Sequence, residues 1–206
     1  MGYGPHPNEC CAIVAGRADL CLVGNHDLVA LGTAEVDVRD FNPEAGAAAL
    51  WTRDELSDES RAFLASLQPS ARADGVELHH ASPRDPIWEY VLSPEAATAA
   101  FRHSSAPLVL VGHSHVALAI AEEDGEAAGG PAPGGTEVEL SGRRLLNPGS
   151  VGQPRDGDPR AAWLLLDLRE RFAGFRRVPY SVETTQEEIR RRGLPESLAA
   201  RLALGH

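Results

Sequence analysis

Three stretches of this 206-residue sequence end an apolar run in side chains suited to chemistry. Residues 20–23 hand over to Gly24-Asn25-His26-Asp27, residues 76–81 carry His79 and His80, and residues 108–111 run into Gly112-His113-Ser114-His115. Imidazole nitrogen suits zinc, copper, iron and nickel, while amide and carboxylate oxygen suit harder ions. A mixed His and Asn set therefore points to Mn, Fe, Ni or Zn in hydrolytic work. In an extended Gly112–His115 segment, residues two apart point the same way, so His113 and His115 face one pocket. Such a pair reaches two neighbouring ions, and two ions about 3.5–4 Å apart bridge a phosphoryl group and generate hydroxide at neutral pH. A single His after a strand is an ordinary loop residue, but three such termini among only eight His are not easily accidental. His6, His103 and His206 lack that context and read as surface.

The elements that must position these residues follow from the apolar pattern. Residues 8–16 read as a short helix, 20–23 as a strand ending in the Asn25 loop, and 28–31 as the start of another helix. Thr52 with Glu55 three residues on forms a capping box. Behind it Leu56, Phe63, Leu64 and Leu67 recur at helical spacing, which predicts a helix over 53–67. Residues 94–103, opening on Pro94, read as a helix. Strands are predicted at 76–81 and 108–111, as a pair at 116–121 and 136–146, and as a second pair at 161–168 and 172–180. Residues 122–135, rich in Gly, Pro and acid, read as a mobile loop, and the tail from Thr185 as two helical pieces split by Gly193 and Pro195. Interleaved helices and strands with a late cluster of strands suit an α/β (α+β) layered domain. Ligands in such sheets bind beyond the carboxyl ends of the strands, where the His and Asn residues sit.

Composition bounds the rest. The length suggests one domain, and 43% apolar with 24% charged residues is ordinary for a globular protein. Thirty acidic against 19 basic residues leave a formal charge of −11, which argues against long nucleic acid as a partner. No apolar run approaches the ~20 residues that span a bilayer. The opening MGYGPHPNEC is too polar for a signal peptide, so a cytoplasmic protein with no membrane partner is expected. Cys10, Cys11 and Cys21 form no disulfide framework or zinc spacing and read as small apolar residues. All 19 basic residues are Arg, beside 31 Ala, a bias typical of GC-rich bacterial DNA.

At Gly24-Asn25-His26-Asp27, His80-Ala81-Ser82-Pro83-Arg84 and Gly112-His113-Ser114-His115 the sequence resembles the calcineurin-like metallophosphoesterases. Within them it resembles the bacterial and archaeal phosphodiesterase, diadenosine-tetraphosphatase-like branch. The opening Gly2-Tyr3-Gly4-Pro5-His6-Pro7-Asn8-Glu9-Cys10 and the stretch from Asn147-Pro148-Gly149-Ser150-Val151-Gly152 to Arg160 match that branch too, in the family's order. The resemblance implies a four-layer α-β-β-α sandwich holding two divalent metal ions. It also implies hydrolysis of a small phosphoester by attack of a metal-bound hydroxide on phosphorus. By the same resemblance Asn25, His80 and His113 ligate the second metal and His115 the first, with His79 a bystander. His26 meets the phosphate as charge stabiliser or acid, Asp27 orients it, and Arg84 and Arg155 are phosphate clamps.

The family's earlier Asp-x-His and Gly-Asp motifs, which supply the remaining ligands of the first metal, are not found in the 206 residues. In close relatives the residue before Gly-Tyr-Gly-Pro is commonly Val. Met1 therefore reads as a start placed at a GTG codon, or the chain as a fragment short of a strand–helix–strand unit. On that expectation this chain binds one ion or none and hydrolyses little. The rival is a catalytically inactive phosphate- or metal-binding remnant. Substrate identity and oligomeric state are not written in these motifs.

Overall fold

The computed structural model describes residues 1–206. Its helices are α1 (Pro7–Arg17), α2 (Asn25–Leu31), α3 (Pro43–Glu55), α4 (Asp58–Ala65), α5 (Pro94–Phe101), α6 (Val182–Arg191) and α7 (Glu196–Leu204). Its strands are β1 (Ser70–Ala73), β2 (Val76–His79), β3 (Leu108–Leu110), β4 (Ala117–Glu123), β5 (Glu126–Pro131), β6 (Glu137–Glu139), β7 (Arg143–Pro148), β8 (Ala161–Asp167) and β9 (Phe172–Val178). The chain divides into two units, Met1–Gln68 with Ser181–Leu204, and Pro69–Tyr180 with Gly205–His206.

The first unit is helical. Pro7 and Pro43 sit in the first turns of α1 and α3, where a missing N–H costs nothing. Asn42 caps α3 by accepting the Ala45 N–H at 2.9 Å, and Ser57 caps α4 by accepting the Ser60 N–H at 3.2 Å. These caps displace the predicted one. Thr52 lies inside α3, fully buried, and its hydroxyl donates to the Ala48 carbonyl at 2.8 Å. The predicted helix over 53–67 is thus the end of α3, a break at Leu56, and α4. A Thr hydroxyl can satisfy itself on the carbonyl four residues back, so the capping-box pattern alone did not mark a start. Residues 20–23 form no ladder, only a parallel bridge between Leu22 and Gln68. Two apolar clusters hold the unit: Cys11, Ala30, Leu56 and Leu64, and Ala48 with Ile189, Leu194, Leu198, Ala199 and Leu202. The three cysteines are free.

The second unit carries both sheets. The larger has the order β1-β2-β3-β7-β4-β5, the smaller β6-β9-β8. Strands β2, β3 and β7 run parallel, with Leu78 beside Leu110 and Leu110 beside Leu146. Two hairpins extend this core, and each turns on an Asp-Gly pair with positive φ at both residues, Asp74-Gly75 and Asp124-Gly125. That backbone twist matches the twist of the strands it joins. The second hairpin corrects the predicted mobile loop at 122–135, since β5 lies there, paired with β4 from Glu126 to Pro131. Strand β6 joins the smaller sheet instead of extending β7.

Alternation along the strands sets the layers. Leu108, Ala117 and Leu146 face Ala173 and Phe175 of the smaller sheet, while Val109, Leu118, Ile120 and Leu145 face Phe101 and the alanines of α5. The result is a helix–sheet–sheet α/β arrangement, as the element order predicts. The carboxyl ends of adjacent β2 and β3 deliver His80 and His113 to the same edge.

Candidate metal centre

The second unit brings three of the named histidines together. His80 follows β2 directly, and the Gly112 N–H donates to its carbonyl at 3.0 Å. A Cβ at Gly112 would sit 3.0 Å from that same oxygen, so the close approach suits glycine. It places the His80 and His113 rings edge to face, 5.0 Å apart between centroids.

Residues 112–115 are not the extended segment that the sequence suggests. His113 and His115 both have φ of 60°, the left-handed region, and the Ser114 N–H folds back to the Gly112 carbonyl at 2.6 Å. Left-handed backbone at two non-glycine residues costs energy that surrounding bonds must offset. Asn147, fully buried, supplies them. Its amide donates to the Gly112 carbonyl at 2.8 Å and to the Ser114 hydroxyl at 3.0 Å, and its oxygen accepts the Gly149 N–H at 2.9 Å. Gly149 has φ of 84°, and a Cβ there would meet Ala162 at 2.8 Å. The Asn147–Gly149 turn is therefore the brace of the His loop.

His113 and His115 are held neutral. Burial pushes His113 down to about 4; Arg155 also lowers it, and a backbone hydrogen bond with Trp88 raises it. Burial lowers His115 to about 3, with Arg155 acting the same way. The His115 Nδ1 meets the Gln153 carbonyl at 2.8 Å, which directs the opposite ring nitrogen away from it. The His113 Nε2 is buried and has no hydrogen-bond partner. A neutral imidazole with a buried, unpartnered nitrogen beside the His80 ring has the chemistry of a ligand for a divalent transition ion. No three His, Cys, Asp or Glu side chains converge closely enough to hold an ion by themselves. The contact on view is the His80–His113 pair.

His79 belongs to the β1–β2 ladder. Its Nδ1 is 2.8 Å from the Ser70 hydroxyl across the β1–β2 pair, and its Nε2 is 3.7 Å from Glu77. Successive strand residues point to opposite faces, so His79 and His80 part company there. The two arginines differ. Arg84 pairs with Glu89, whose other oxygen accepts from Ser82, so it braces the 82–89 loop. Arg155 bonds the Gln153 side chain at 2.9 Å, and its charge is felt by His113 and His115.

In the first unit, Asn25, His26 and Asp27 are not in a loop after a strand but form the first turn of α2. Asn25 is buried, and the His26 ring packs between Tyr3 at 4.2 Å and Phe41 at 4.8 Å. Gly2 has φ of 126° and a Cβ there would lie 2.5 Å from the His26 Nδ1, so only glycine lets the chain pass. Asp27 is the acidic residue of the first turn of α2. Its oxygens go to the Gly24 N–H at 2.9 Å and to the Met1 amino group, so it caps the helix that carries His26. The sequence reading missed Trp88 and Tyr90, whose rings touch His113, and Gln153, which orients His115. Two aromatics spaced two apart, Trp88 and Tyr90, were the available signal.

A family model for the calcineurin-like phosphoesterase superfamily domain matches residues 7–171. The chain belongs to that superfamily. At that level it is a metal-dependent hydrolase of phosphoric esters. The superfamily reading agrees with two solved structures. A metallophosphoesterase from Sphaerobacter thermophilus superposes with a TM-score of 0.90 at 40% identity, over 100% of this chain and 85% of that one. A hypothetical protein from Pyrococcus horikoshii, at 20% identity and TM-score 0.78 over 100% of this chain and 82% of that one, shares the fold. An uncharacterized protein of Methanocaldococcus jannaschii is 36% identical over 210 residues, covering 100% of this chain and 83% of the relative. No helix of this superfamily member is long and apolar enough to cross a membrane.

Proposed function

We propose that this chain hydrolyses small phosphoesters, phosphodiesters foremost, at a centre for two divalent ions of the Mn, Fe, Ni or Zn type. The observation that carries the reading is the buried, unpartnered His113 Nε2 beside the His80 ring, at the ends of two parallel strands. Divalent ions supply charge neutralisation at phosphoryl oxygens and the acidification of water.

On this reading His80 and His113 are ligands of one ion and His115 of the other. Arg155, whose fork of donors suits phosphate, holds the phosphoryl group. Arg84 is the weaker clamp, because a carboxylate already occupies it. Within the first unit, Asn25 has the role of an amide-oxygen ligand, and His26 stabilises charge on the phosphate or protonates the leaving group. The three imidazoles have no carboxylate among them, so residues 1–206 alone bind metal weakly and turn over slowly.

Manganese titration calorimetry, paired with hydrolysis of a bis-aryl phosphodiester, tests this. His113→Ala and His80→Ala should each weaken manganese binding and lower the rate at least tenfold. His79→Ala, bonded on the opposite face, should change neither. Unaltered manganese affinity in His113→Ala would sink the assignment.

A further inference from the structure

We propose that Tyr90 is a specificity wall: a planar ring carried by the substrate stacks on it, so the chain favours aryl or nucleobase phosphoesters over alkyl ones. This rests on the hydrolytic reading above and adds the class of group attached to the phosphate.

Tyr90 lies nearly parallel to His113, with ring centroids 4.2 Å apart and planes 27° apart. Its inner face is covered by that imidazole, yet the residue is 48% exposed. Tyr90 thus keeps solvent-accessible surface although its ring lies against His113, beside the centre. A residue that served only to fill space around His113 would be buried, as Val91 next to it is, at 1%.

The wall is built to stay in place. Asp85 accepts the N–H groups of Ile87 and Trp88 at 3.0 and 3.1 Å, and Glu89 is tied to Ser82 and Arg84. Trp88 meets His113 edge on at 6.4 Å, and Val91 anchors in the core against α5. Tyr90 is thus held from both sides of the chain. A rigid ring loses little entropy on contact, and stacking is tolerant of which planar group arrives. Arg155 acts electrostatically on His113 and His115, so the cation suited to the phosphoryl group shares their neighbourhood. A phosphate with a flat appendage matches that pair of features: charge for the one, π surface for the other.

Non-hydrolysable ligands separate this from the hydrolytic reading. Binding of phenylphosphonate, methylphosphonate and AMP (as its non-hydrolysable 5′-methylenephosphonate analogue) to the 206-residue chain is measured by calorimetry with manganese present, for wild type, Tyr90→Phe and Tyr90→Leu. Wild type and Tyr90→Phe should prefer phenylphosphonate to methylphosphonate, and Tyr90→Leu should lose about tenfold of that preference, as removal of a stacking ring does. AMP tighter than phenylphosphonate assigns the wall to a nucleobase, and the reverse order assigns it to a short aryl group. No ring preference in wild type, or an equal preference in Tyr90→Leu, overturns the proposal. So does a fall in manganese content in Tyr90→Leu that explains the loss. If the wild-type chain hydrolyses no phosphoester, the proposed activity falls while these affinities still decide Tyr90.

Discussion

At the scale of the residue, the His loop after β3 shows how position is maintained against local preference. His113 and His115 occupy left-handed backbone that a β-region strand end would avoid, and Asn147 answers with three hydrogen bonds from one buried amide. Asn147→Ala removes all three, leaves the Gly149 N–H without its acceptor and takes one of two donors from the Gly112 carbonyl. A buried unsatisfied group costs about 1–3 kcal/mol, so a loss of that order is expected in urea unfolding. Manganese affinity should fall with it, because the loop relaxes toward ordinary dihedrals and His113 turns away. Asn147→Ala with unchanged manganese affinity would show that the loop holds itself. The sequence singles out His80, His113 and His115 because strand ends and glycine are written locally. It does not show Trp88 and Tyr90 as their neighbours, since the return of the 82–92 loop onto β3 is a long-range event.

At the scale of the element, legibility follows the strength of local pattern. Buried β3 and the β8–β9 pair are apolar runs bounded by turns, and they lie where the pattern puts them. Strand β5, Glu-Ala-Ala-Gly-Gly-Pro, has no β-branched or aromatic residue and exists because β4 offers it a ladder. Its only local sign is the Asp124-Gly125 turn. The α3–α4 boundary carries two competing cap patterns, and tertiary burial decides between them: Thr52 is fully buried while Ser57 stands at the bend. The choice is measurable. Ser57→Ala leaves the Ser60 N–H without its acceptor and should cost about 1 kcal/mol. In a chain of this length that lowers Tm by roughly 2–4 °C. An unaffected Tm in Ser57→Ala would mean that the packing of Leu64 on Cys11, and not the cap, sets where α4 begins.

At the scale of the whole molecule, charge is the dominant feature that composition shows at once. Arg side chains answer many carboxylates, including Arg39 with Asp37 and Arg190 with Glu196, but these pairs are exposed and each is worth little. The surplus of 11 negative charges persists and repels itself at pH 7. Raising ionic strength from low values to about 0.1 M, where the screening length is ~10 Å, should therefore raise the urea midpoint. A fall would mean that ion pairs outweigh repulsion. Acid reverses the balance at a particular place. The Arg160 side chain, and secondarily Arg177, hold the Asp158 carboxyl down at about 2, below its ordinary 3.8. The unfolded chain then takes up a proton more readily than the folded one between those values, so this stabilisation is complete above 3.8 and is lost as pH falls toward 2. Asp158 sits where the Arg177 guanidinium, nearly fully buried, also meets Asp156, and the Gly157 N–H between them donates to the Gly205 carbonyl. Protonation of Asp158 therefore weakens the tie between the 156–160 turn and β9. Asp158→Asn should be less stable than wild type at pH 5 and should lose less further stability between pH 4 and pH 2. Parallel acid profiles for the two proteins would place the acid-sensitive groups elsewhere in the molecule.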